Sequence, residues 1–256
     1  MLFPISDDDR LLTRPAYVTY AIIAINVLVF LVLQQAGSNE AFTAGFSTVP
    51  QEITEGVDLV DVVQIPAGNE VVSIRHSPGP TPIYLTILTS MFMHGGIMHL
   101  AGNMLYLWIF GDNLEHRFGS RTFLLFYLIA GFAATGTQIA LDPHSIIPTL
   151  GASGAISGVL GAYLILFPRN RVTAIFFFYV VTIPAFLALG AWIAMQVIEG
   201  LGTIGGGQIG GVAYGAHIGG FVAGAALALV LRPIVREERP TVYSRVVPDD
   251  RRRRLW

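Results

Sequence analysis

Gly151-Ala152-Ser153-Gly154-Ala155-Ile156-Ser157-Gly158 places a serine among small residues at the head of an apolar run. The run reaches Phe167, where Pro168-Arg169-Asn170-Arg171 stops it. From Gly154 to Phe167 is 14 residues, roughly 21 Å of helix at about 1.5 Å per residue. A bilayer hydrocarbon core is about 30 Å thick. With the arginine end at one membrane surface, the Ser153 end stops inside the membrane. Irregular backbone is tolerated at that depth only against protein or a wet cavity. A hydroxyl at a helix N-terminus lies near unsatisfied N–H groups and the positive end of the helix dipole. That setting suits a developing oxyanion. The plain alternative is a Gly/Ala/Ser face for close helix packing.

Polar residues on two other apolar runs reach the same depth. Ser153 lies 16 residues from Arg169, His217 lies 15 from Arg232, and Asn103 lies 14 from Arg117. On straight helices these are about 24, 22 and 21 Å, an agreement within one turn. His99 sits one turn above Asn103 on the same face. Gly215, Gly219, Gly220 and Gly224 flank His217 and let its helix approach the small residues of Ser153–Gly158 closely. That approach would pair a nucleophile with a general base. Asn103, His99 and the Ser153 N–H would then serve an oxyanion. No carboxylate lies at this level, so the expectation is a Ser-His dyad. Ser157 is expected to be a packing hydroxyl. A zinc site from His94, His99 and His217 is the metal alternative. It lacks an acidic partner and H-E-x-x-H, so no metal or cofactor is expected.

The elements that must hold these residues follow from composition. The chain has 256 residues, 53% hydrophobic and only 12% charged, against about 25% charged in a soluble domain. It has no cysteine, which excludes disulfides and thiolate chemistry. No cleavable signal is recognisable near the start. These features predict an all-α polytopic membrane protein with six spans. They fall at about 16–33, 97–114, 122–141, 154–167, 172–197 and 212–231, the fourth being a short central helix. Pro184 would kink the fifth. Residues 1–15 form a short polar segment, and 35–96 a long external or interfacial loop that ends at the Gly95-Gly96 break. Within that loop, 57–63 and 71–74 could pair as a hairpin. Residues 232–256 form an arginine-rich tail. Gly200–Gly211 is a glycine-rich loop, a candidate lid.

All 15 basic residues are arginines, and only Arg75 falls outside the loops on one side of the six spans. The positive-inside rule then puts both termini in the cytoplasm and Ser153 toward the outer face.

The same residues resemble the rhomboid family of intramembrane serine proteases. Gly151-Ala152-Ser153-Gly154 looks like its G-x-S-G. His94-x4-His99-x3-Asn103 looks like its H-x4-H-x3-N, and Ala216-His217-x2-Gly220-x3-Gly224 its A-H-x2-G-x3-G. Glu115 followed by Gly119 resembles its turn after the second span. The resemblance covers about 16–231. It implies a six-helix rhomboid-like bundle and a Ser153–His217 dyad. It also implies an oxyanion and substrate-binding site at His99, Asn103 and Gly151. The substrates would be transmembrane proteins cut near the outer face, often after a small residue. No nucleic acid partner is expected, and a bacterial plasma membrane is the expected location. Some family members stack an aromatic on the catalytic histidine from the position of Ser157. Two rivals remain. One is a non-catalytic rhomboid-like protein that binds membrane clients. The other is a small transporter or channel, which would call for an inverted repeat, and none is found.

Overall fold

A computed structural model describes residues 2–8, 12, 14–67, 70–203 and 212–234. Of the candidate lid at Gly200–Gly211, residues 200–203 are helical rather than loop, and 204–211 lie outside the described residues, as does the tail from 235 onward.

Helix α1 (Tyr17–Leu28) runs on into a π-helical stretch, Val29–Leu33. Its N-cap residue, Ala16, has no side chain to cap it. Glu115, near the end of helix α5 (Ile97–Phe118), takes that role from across the fold. Its carboxylate accepts from Val18 N (3.1 Å), Thr19 N (2.8 Å), Thr19 Oγ1 (2.9 Å) and Ser120 Oγ (2.6 Å). A buried negative charge at a helix N-terminus is favourable when each oxygen is satisfied in this way. Gly119 then turns the chain with φ +79° into helix α6 (Ser120–Leu141).

The break expected at Gly95-Gly96 is present. A short helical run, Ile83–Phe92, meets α5 at 75°. Gln34, just after the π-helical stretch, holds the corner. Its amide nitrogen donates to the His94 carbonyl and its oxygen accepts from the His94 N–H, both at 2.9 Å.

Helix α7 (Ser153–Leu166) is the short central helix, buried from Gly154 to Tyr163. Helices α8 (Ala185–Thr203) and α9 (Tyr214–Leu231) follow. Among the described residues, α6, α8 and α9 are long and apolar enough to cross a membrane, and the bent pair would make a fourth. Tyr17–Leu33 and α7 are apolar but shorter. The α7–α9 contact is made by glycine. A Cβ on Gly220 would collide with the Gly154 carbonyl, one on Gly224 with the Gly158 carbonyl, and one on Gly161 with the Phe221 carbonyl. Backbone rests on backbone there, as small residues allow in membrane helices.

The fifth span differs from the expectation. Residues 172–184 are not the start of a helix kinked at Pro184. They form strands β4 (Arg171–Phe176) and β5 (Tyr179–Pro184), and the helix begins at Ala185. A short apolar run cannot be assigned to helix or strand by periodicity. Here Val172, Thr173, Ile175, Val180, Val181, Thr182 and Ile183 are β-branched and favour a pleated backbone. The partner is also local: strand β1 (Leu2–Ser6), in the segment expected to be merely polar, pairs antiparallel with β4. Asp7 ties this sheet to the helices by accepting from Asn113 Nδ2 on α5 (2.8 Å) and from the Tyr163 hydroxyl on α7.

The long loop from 35 to 96 is structured. It carries helices α2 (Glu40–Phe46) and α3 (Pro50–Glu55) and the hairpin β2 (Val62–Ala67)–β3 (Glu70–Arg75). The hairpin turns where expected, but β2 starts at Val62 rather than Val57. The preceding residues are occupied elsewhere: Leu59 N donates to Glu52 Oε1 (3.1 Å), and Asp58 accepts from Gly79 N (3.0 Å).

Two predictions follow from these buried carboxyls. Glu115→Ala strands the α1 donors and should lower unfolding free energy by on the order of 3 kcal/mol, read as a lower thermal midpoint in detergent. Burial pushes the Glu52 carboxyl above its ordinary value of 4.5, Asp58 adds to this, and the Leu59 amide and His76 oppose it. The folded chain thus binds that proton more tightly than the unfolded chain. The stability gained is complete below about pH 4.5 and is lost as pH rises through the raised folded value. Glu52→Gln should flatten that loss and raise the midpoint at pH 7 relative to wild type, checked by melts from pH 4 upward.

Candidate active site

Ser153 occupies the first position of α7, where a helix leaves its N–H unsatisfied. It follows Gly151, whose φ of +133° suits glycine alone. There is also no room for another residue. A Cβ on Gly151 would lie 2.9 Å from His99 Cε1, 3.0 Å from His99 Nε2 and 3.4 Å from Ser153 Oγ. The His99 ring edge, the serine hydroxyl and the Gly151 backbone therefore border one small volume.

His99 is oriented by its own helix start. Its Nδ1 accepts from Gly95 N at 3.3 Å, which leaves the ring proton on Nε2, the nitrogen facing Gly151. His94 meets it edge-on at a centroid distance of 5.1 Å. Asn103, one turn below His99, is buried, and its Nδ2 has no hydrogen-bond partner among the described residues. His94 likewise has neither ring nitrogen bonded. Unsatisfied buried polar groups gathered in one place call for an explanation, and a reacting group or water is the usual one.

His217 lies one turn into α9, beside Ala216, which packs against Gly154. Gln138 on α6 supplies the cap that Ala213 cannot: its Oε1 accepts from Ala216 N at 3.2 Å. The glycine contact thus brings Ser153 and His217 onto touching turns of α7 and α9. Among the described residues, no hydrogen bond joins the Ser153 hydroxyl to the imidazole. His217 Nδ1 instead meets Gln196 Oε1 of α8 at 2.6 Å. Trp192, one turn earlier on α8, lies 6.0 Å from the ring. The aromatic neighbour comes from α8, not from α7, where Ser157 donates to the Ser153 carbonyl at 2.6 Å as a packing hydroxyl.

The loop that delivers Gly151 and Ser153 is held by the long loop between α1 and α5. Thr48 and Thr149 exchange backbone hydrogen bonds of 3.0 and 2.8 Å. The Thr48 hydroxyl donates to the Thr86 carbonyl (2.9 Å) and meets the Ser90 hydroxyl at 2.8 Å, while the Ser90 carbonyl accepts from Gly151 N at 2.9 Å. His76 Nε2 meets the Ile146 carbonyl at 2.8 Å. Sequence reasoning missed Thr48, Ser90, Gln138 and Gln196. The two glutamines had a signal, being amides within apolar runs; the hydroxyls had none. A crevice opens beside Ser153, lined by Met91, Gly131, Thr135, Gln138 and Ala213 among others.

A short buried helix with a serine at its head, a histidine on a glycine-packed neighbour and a second histidine against the serine loop define a class: helical membrane proteins with a buried serine-headed helix and histidines on the helices packed around it. Residues 83–234, more than half the chain, match the Rhomboid domain. The chain is 40% identical over 146 residues to the rhomboid protease GluP of Bacillus subtilis, covering 56% of this chain and 26% of that protein. It is 32% identical over 160 residues to Rhomboid protein 1, mitochondrial, of Saccharomyces cerevisiae, covering 60% of this chain and 44% of that one. To the mouse Presenilin-associated rhomboid-like protein, mitochondrial, it is 35% identical over 152 residues, 58% of this chain and 38% of that one. The chain belongs to the rhomboid family. These matches span less than half the length of the relatives.

Thr48→Val keeps the side-chain shape and removes two buried hydrogen bonds of the clamp. It should cost about 1–3 kcal/mol, measured as a fall in thermal midpoint, and should make residues 142–150 exchange amide hydrogens faster.

Proposed function

We propose that this chain is a rhomboid-type intramembrane serine endopeptidase. The observation that carries the reading is the glycine contact of α7 with α9, which sets Ser153 and His217 on touching turns with the His99 ring against Gly151. Ser153 Oγ attacks the scissile carbonyl carbon as its proton passes to His217 Nε2. The oxyanion takes hydrogen bonds from the Ser153 N–H, His99 Nε2–H and the unpartnered Asn103 Nδ2. His217 then gives the proton to the leaving nitrogen, the peptide C–N bond breaks, and an acyl-enzyme remains. Water adds to the ester carbonyl and loses a proton to His217; the C–O bond then breaks as His217 returns that proton to Ser153 Oγ, freeing the carboxylic acid product.

The substrates are transmembrane segments of other membrane proteins. The crevice beside Ser153 is walled by Gly131, Ala155, Ala213 and Ala216, a shape that suits a small side chain at the cleaved residue. In this reading α1, the bent pair, α6, α7, α8 and α9 make up six membrane segments. The arginine distribution puts both termini on one side and Ser153 toward the other. The relatives are bacterial and mitochondrial, so they do not single out the expected bacterial plasma membrane.

The absence of a bond between Ser153 and His217 is what favours the rival, a rhomboid-like protein that binds membrane clients without cutting them. A fluorophosphonate probe separates the two. Wild type should be labelled and should cleave a single-span reporter in liposomes. Ser153→Ala should do neither while melting at the same temperature. An unlabelled, inactive wild type would leave the client-binding reading.

A further inference from the structure

His217 has a partner that the proposed reaction never consumes. Gln196 lies on α8, is only 6% exposed, and brings its Oε1 to 2.6 Å from His217 Nδ1. An amide oxygen accepts and cannot donate, so Nδ1 carries the ring proton. A neutral imidazole has one such proton, and Nε2 is left with a free lone pair. We infer that Gln196 is a positioning residue for the proposed dyad, holding His217 in the tautomer whose bare Nε2 can take the serine proton.

The inference rests on the protease reading and adds what that reading lacks, something to orient the base. In a Ser-His-Asp site a carboxylate does this from the Nδ1 side. Here the group at Nδ1 is a neutral amide, and the acid nearest Gln196 on α8, Glu199, lies three residues further along the helix. Trp192, four residues before Gln196, packs on the same ring, so one helix face sets both ring plane and tautomer. His99 makes the contrast. Its Nδ1 accepts from a backbone N–H, which puts the proton on Nε2 and makes it a donor. The two histidines of the site are held in opposite tautomers, one suited to give a hydrogen bond and the other to take a proton. The Nδ1 proton stays on His217 throughout; only the Nε2 proton travels from Ser153 to the leaving nitrogen.

The test uses the full chain in liposomes, with Gln196→Leu, which has no acceptor, and Gln196→Glu, which keeps an acceptor and cannot donate. The readouts are the labelling rate of Ser153 by a fluorophosphonate, kcat and KM for a single-span reporter, and ring nitrogen shifts with 15N-labelled histidine. For wild type the His217 shifts should show Nδ1 protonated and Nε2 bare. Gln196→Leu should mix the tautomers and cut labelling and kcat by about 10- to 100-fold, within the range a positioned base contributes, with KM and thermal midpoint unchanged. Gln196→Glu should keep the wild-type tautomer and restore most of the rate. Wild-type labelling and tautomer in Gln196→Leu would overturn the inference and leave the protease standing. So would an inactive Gln196→Glu beside an active Gln196→Leu, because the amide would then be donating. A wild type that is never labelled would instead sink the protease reading itself.

Discussion

The contact of two helix backbones with no side chains between them sets everything else in this protein. Gly154, Gly158 and Gly161 on α7 face Gly220, Phe221 and Gly224 on α9 so closely that a single added carbon strikes a carbonyl oxygen. Inside a membrane no hydrophobic effect pushes helices together, so close packing of small residues has to supply the association. The geometry that results is rigid because nothing flexible separates the helices. A hydroxyl at the head of one and an imidazole one turn into the other then have fixed relative positions.

The site draws on the whole chain to meet that fixed pair. α5 brings His99 and Asn103, and its corner is set by Gln34 from just after the π-helical stretch. α6 caps α9 through Gln138, and α8 reaches the imidazole through Gln196. The long loop between α1 and α5, in turn, is a clamp. Thr48 bonds to the Ser153 loop and to the helical run before α5, so the strained Gly151 is held from two directions. Backbone in an unusual conformation persists only where its surroundings over-determine it.

The hairpin before α8 has a cost and a consequence. Its two-residue connection places Phe177 at φ +54°, a conformation usually left to glycine or asparagine. By forming strands, residues 171–184 remove Pro184 from the helix interior, and α8 starts cleanly behind it. The sheet with β1 then ties the start of the chain to α5 and α7 through Asp7.

The sequence alone proposed which residues could react and what depth they would share. Motif spacing, helix rise and arginine placement are local quantities, and they pointed to Ser153, His217, His99 and Asn103, to the short α7 and to the break at Gly95-Gly96. The same motifs carried the rhomboid resemblance, and the chain belongs to that family. What a side chain touches is not local, and the tertiary structure decided it. The residues from Arg171 to Pro184 became strands because β1, far away in sequence, offers an edge. Glu115 caps a helix that begins 98 residues earlier, and a glutamine on α8 meets a histidine on α9. Such polar groups find partners only when the fold brings them together, since burial makes an unpartnered donor or acceptor costly.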